Sequence, residues 1–152
     1  MGFCEGLMSF GTPAITTSNA ATVSPNVFDA GSAKMPFGAS NRGRVAGTVQ
    51  LSGGTNPTVR VQFVGADDAA LTSNVVTLAD TGVLSYKPDG STALVNTDAV
   101  NFEISPGIQR SPKRYYGLLV TLGGTTPSAT ANRAEFGVSA GENMAGFRAA
   151  TP

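Results

Sequence analysis

"RYYGLLVTL" (residues 114–122) is the stretch on which the fold turns. Tyr116, Leu118, Val120 and Leu122 fall on one side of an extended chain, and Tyr115, Gly117, Leu119 and Thr121 on the other. Side chains alternate between faces in a strand, so both faces of this one are apolar. Such a strand is expected to be central in its sheet or covered on its outer side. The tyrosines at its start are expected to bury their rings and keep their hydroxyls wet.

The same period of two recurs outward from this segment. In "RVAGTVQLS" (44–52), Val45, Gly47, Val49 and Leu51 face one way. In "TVRVQFVGA" (58–66), Val59, Val61 and Phe63 point inward while Arg60 and Gln62 point out. "AVNFEI" (99–104) sets Val100, Phe102 and Ile104 against Asn101 and Glu103. "RAEFGVSA" (133–140) sets Ala134, Phe136, Val138 and Ala140 against Arg133, Glu135, Gly137 and Ser139. "NVVTLAD" and "PNVFDAG" are shorter candidates, and no window keeps a long helical period. Glycine- and proline-rich stretches at 52–57, 87–90, 105–107 and 123–127 read as turns. The expectation is an antiparallel jelly-roll or β-sandwich with less than about one-sixth helix, against a usual third. Residues 44–52 with 58–65, and 114–122 with 133–140, are expected to pair as hairpins. The expected core is Val45, Val49, Val61, Phe63, Phe102, Ile104, Leu118, Val120, Phe136 and Val138.

Composition narrows the function. The 152 residues suit one domain, with an expected arm at 1–20, a β domain at 21–143 and a tail at 144–152. Ten basic residues balance ten acidic ones, and charged residues are only 13% of the chain. A neutral chain is a poor electrostatic partner for nucleic acid or an acidic membrane face, and a weakly charged surface favours association. The chain has no histidine, which removes the commonest general base and imidazole metal sites. Its single cysteine, Cys4, can form neither an intrachain disulfide nor a cysteine-rich zinc site. "MGFCEGLMSFG" lacks the basic and long apolar regions of a signal peptide, and no run is long enough for a membrane helix.

The remaining motifs are weak. Asp67-Asp68 could begin a cation or hydrolytic site, but adjacent acids in a Gly/Ala loop read better as turn formers. The glycine-rich stretch 38–43 precedes a strand rather than a helix and lacks the dipole of a phosphate loop. Arg110, Lys113, Arg114 and the tyrosines could grip single-stranded nucleic acid, but Arg and Tyr also mark protein interfaces, which suits the neutral charge better. Phe3, Leu7, Met8 and Phe10 lie on a segment too glycine-rich to build its own core. They read as a docking surface or as extra packing on the parent domain. We expect no catalytic residue, cofactor or metal.

In order, "SPNVFDAGSA", "RGRVAGTVQLSGG", "PTVRVQFVGADDAALT", "VNFEISPG", "RYYGLLVTLGGTTPSA" and "AEFGVSAG" (spanning roughly 24–143) resemble the jelly-roll capsid cement, or decoration, proteins of tailed bacteriophages. The most specific piece is Arg114-Tyr115-Tyr116 with the strand, Gly-Gly-Thr-Thr and short-residue strand that follow, joined by Asn26-Val27-Phe28-Asp29-Ala30-Gly31. The resemblance implies a non-enzymatic protein, made in the host cytoplasm, that binds the outer capsid of the virion as a dimer or trimer and clamps neighbouring major capsid protein subunits. On that reading Phe3, Leu7, Met8 and Phe10 would contact the partner, with Arg42, Arg110 and Arg114 at the rim. Another reading is a carbohydrate- or receptor-binding β-module of a phage virion, which usually wants exposed aromatic platforms. An enzyme on a jelly-roll scaffold would usually need histidines.

Overall fold

A computed structural model describes residues 8–11, 20–31, 41–85, 99–104 and 113–140, with side chains at 10–11, 20–31, 45–49, 57–84, 100–104 and 113–125. The described residues are all-β. Their strands are β1 (Met8–Ser9), β2 (Ala21–Val23), β3 (Phe28–Asp29), β4 (Asn41–Ala66), β5 (Val76–Asp80), β6 (Leu84–Ser85), β7 (Ala99–Ile104) and β8 (Tyr115–Ala140). Every pairing is antiparallel.

Two 26-residue strands organise the molecule. β4 and β8 pair from Asn41↔Ala140 to Ala66↔Tyr115. This corrects the expected hairpins. Residues 44–52 do not turn back onto 58–65; both halves of β4 pair with the two halves of β8. The stretches 52–57 and 123–127 are not reversals but bulged ribbon lying opposite each other, with Gly53↔Ser128, Thr55↔Thr125 and Thr58↔Gly123 in register. Pro57 falls between the partnered Thr55 and Thr58, and Pro127 between Thr125 and Ser128. A proline has no N–H for the ladder, so bulge positions tolerate it. Glycine and proline here bend and offset the strands instead of ending them.

The bend creates two layers. One end of the ribbon carries β1 on β8 and β7 on β4; the other carries β2 and β3 on β8, and β5 and β6 on β4. Ser9 is opposite Glu135, which is opposite Ala46. A straight strand from residue 46 to 63 would span about 56 Å. Yet the ring of Phe10, next to Ser9, lies 6.0 Å from that of Phe63 in an edge-on contact. The ribbon therefore folds over itself into an antiparallel β-sandwich.

Its core draws on both ends: Val45, Val49, Phe102 and Ile104 from one, and Val59, Val61, Phe63, Tyr116, Leu118, Val120 and Leu122 from the other. All the expected core residues with described side chains are buried, while the side chains of Phe136 and Val138 lie outside the described set. β8 is central, as its two apolar faces require. The outer face is covered as well, by a cluster of Val64, Ala66 and Leu71 with Val23, Val27, Tyr115 and Leu119 packed against it. Leu71 reaches this face from the connection between β4 and β5, with its backbone at φ 56°.

Both tyrosines begin as expected but finish differently. Tyr115 is half-buried. Tyr116 is wholly enclosed, and its hydroxyl accepts the Lys113 N–H at 2.9 Å, so it is not wet. Its register partner is Gly65, where a methyl group would lie 2.9 Å from the Tyr116 ring. The missing side chain is what makes room for the ring.

Candidate functional site

The residues that begin β8 gather charge at one end of the sandwich. β3 pairs there, with Asp29 opposite Tyr115, and the Ala30 N–H donates to the Arg114 carbonyl at 2.7 Å. That register sets Arg114 beside Asp29. The guanidinium donates from Nε to Oδ1 at 2.9 Å and from Nη2 to Oδ2 at 3.0 Å. Its carbon sits 4.9 Å from the Tyr115 ring centroid, a cation–π distance. The Gly31 N–H also donates to Asp29 Oδ1. Bonding to Arg114, then to Gly31, holds the Asp29 carboxyl below its ordinary pKa, and Asp29 in turn raises that of Arg114.

Lys113 lies inward of this pair. It is buried, and its ammonium donates to Asp67 Oδ1 at 3.2 Å. Asp67 Oδ2 accepts from the Asn74 amide, while its backbone N–H bonds the Ser73 carbonyl. Asp68 accepts the Thr72 N–H, the Thr72 hydroxyl and the Ser73 N–H at 2.7–2.9 Å. These donors, the Ser73 amide foremost, lower the Asp68 pKa. The acid pair thus serves as turn formers: its oxygens organise the loop that carries Leu71 onto the outer face.

A third ion pair marks the other edge. Arg60 Nε donates to both oxygens of Asp80 at 3.0 and 3.1 Å, and its Nη2 also bonds Asp80 Oδ2. Gln62 and the Gly82 N–H donate to the same carboxylate. Arg60 foremost lowers the Asp80 pKa. Beyond this pair the connection to β6 is tied down, because Thr81 exchanges bonds with the backbone of Val61. It nevertheless presents Val83 at 69% exposure, which with Val75 is one of two large apolar side chains exposed among the described residues.

The proposed contact residues separate. Phe3, Leu7 and Arg110 lie outside the described residues, as do the side chains of Met8 and Arg42, whose backbones sit in β1 and β4. Arg114 is exposed, as a rim residue should be, but is held by Asp29. Phe10 does not belong to a docking face. It is 2% exposed and part of the core, so the sheet already includes Met8–Ser9, within the expected arm. The cause is burial: an aromatic ring next to Phe63 gains more from the core than from water. Sequence reasoning missed Asp29, whose partner is 85 residues away, and Val83, which no pattern marks as exposed. Chemically, this surface offers preorganised Arg–carboxylate pairs, a half-buried tyrosine and isolated valines, which suit protein–protein contact. No protein-family model matches the chain, and no curated protein matches it either.

Proposed function

We propose that this protein is a structural component of a phage virion: a jelly-roll cement, or decoration, protein that sits on the outer capsid surface as a small homo-oligomer and clamps neighbouring major capsid subunits. The observation that carries the reading is the folded β4–β8 ribbon. The same two backbones pass through both layers, so a load applied at one layer reaches the other through covalent chain as well as packing. A clamp needs such stiffness and contact area more than it needs a tuned titrating group. The surface supports the reading too, since Arg60, Lys113 and Arg114 each already hold an aspartate. Among the described residues neither tyrosine offers the open ring of a glycan platform: Tyr115 lies under Arg114 and Tyr116 is enclosed.

The test is co-sedimentation of the full chain with assembled capsids across a salt series. Because the described cations are already paired, binding should persist at moderate salt. A chain that stays in the supernatant at every salt concentration would discard the reading. Binding that collapses with salt alone would move the contact to cations such as Arg42 and Arg110.

A further inference from the structure

We propose that β1 is an exchangeable plug, and that the seat it fills accepts the same segment from a second copy of this chain. The described part of the plug is two strand residues and one aromatic ring. Among the described residues, Met8 and Ser9 pair with the edge of β8, at Phe136 and Glu135. Phe10 then enters the core against Phe63, and its carbonyl accepts the Asn26 N–H at 3.2 Å. The seat is built from β8, Phe63 and the Pro25–Asn26 stretch, none of which belongs to the plug.

Immediately after the ring comes Gly11, at φ 85°. Only glycine adopts that conformation freely, and a methyl group there would also press on Pro25 at 3.2 Å. It is a backbone position that can redirect the chain as it leaves the seat. The next described residue, Ala20, is nine peptide steps further on (20 − 11). Nine extended residues reach about 30 Å, enough to pass to an adjoining molecule. Copies are identical, so every contact made within one chain is reproduced between two. Concentration then biases the choice between them, and a seat tethered to its own plug competes at an effective concentration in the mM range. A dilute chain fills its own seat. Copies crowded to about mM, in solution or on an array, exchange plugs at little cost, the usual route to strand swapping.

The proposal goes beyond capsid binding, and its test needs no capsid. Ser9 and Glu135 are register partners, and facing Cα atoms in antiparallel strands lie about 4.5–5.5 Å apart, within disulfide reach. The full chain carrying Cys4→Ser, Ser9→Cys and Glu135→Cys is equilibrated dilute and at about mM concentration, then oxidised. The dilute sample should give internally linked monomer. Near mM a covalent dimer should appear, its ratio to monomer rising about tenfold for each tenfold in concentration. Should the double-cysteine chain fail to fold, a mixture of Cys4→Ser/Ser9→Cys and Cys4→Ser/Glu135→Cys chains carries the test: mass spectrometry should find the 9–135 heterodimer in excess over 9–9 links. Internally linked monomer alone near mM, or a mixture without 9–135 links, overturns the exchange.

Discussion

A methyl group on Gly117 would sit 2.7 Å from Leu71 Cδ1 and 3.2 Å from Ser24 Oγ. Neither neighbour can step aside freely. Leu71 is 3% exposed and held at positive φ by a loop whose bonds converge on Asp68, while Ser24 is buried, accepts the Leu118 N–H and donates to the Asn26 carbonyl. Gly117→Ala should therefore cost about 1–3 kcal/mol, read from urea denaturation. The ionisable residues set a different expectation. Asp29, Asp68 and Asp80 all have folded pKa values below the ordinary 3.8. A carboxyl depressed on folding stabilises the protein above its unfolded pKa, and that contribution is lost as pH falls through the folded value. With no histidine, no side chain has an ordinary pKa between about 5 and 8. The urea midpoint should be flat from about pH 8 to 5 and fall below about pH 4. A marked decline between pH 7 and 5 would contradict this assignment.

Among the elements, β4 separates proline positions that the sheet tolerates from those it does not. Pro57 occupies a bulge without a register partner, so Pro57→Ala should leave the far-UV spectrum unchanged. Val61 is paired with Val120 in the ladder, and its N–H donates to Thr81 Oγ1 at 3.0 Å. Val61→Pro removes that donor in a central strand and should cost about 3 kcal/mol or more, seen as loss of the cooperative urea transition. The contrast also shows what was legible in the sequence. Alternation at 44–52, 58–66, 99–104 and 114–122 located strands and named buried residues correctly, because period two is imposed by the pleat itself. Chain reversal was not legible: Gly-Gly and X-Pro carry the same local signal in a turn and in a bulge, and only a partner strand some fifty residues or more away selects the bulge. β1, β2 and β6 span two or three residues, too few for any period to show. The site was legible to a lesser degree. Arg114 was recognisable as an exposed cation, but Asp29 is brought to it by the β3–β8 register, which no spacing in the sequence encodes.

For the whole molecule, the N-terminal segment is partly structural, so truncations should divide at Phe10. Removing residues 1–7 keeps Phe10 in the core and should cost less than the longer deletion that follows. Removing residues 1–12 empties its place beside Phe63 and should cost about 3–5 kcal/mol, measured by urea unfolding. The β4–β8 ribbon also has a consequence in time. Its pair closest in sequence, Ala66 with Tyr115, is 49 residues apart (115 − 66), and its most distant, Asn41 with Ala140, is 99 apart (140 − 41). No rung of that ladder can form by local zipping from a tight turn. Each requires a long loop to close before any contact repays the lost entropy. Stopped-flow refolding should accordingly be slow, in the millisecond-to-second range of domains dominated by non-local pairing. Until the two strands meet, each copy carries unpaired edges long enough to find another chain, so refolding yield should fall as protein concentration rises.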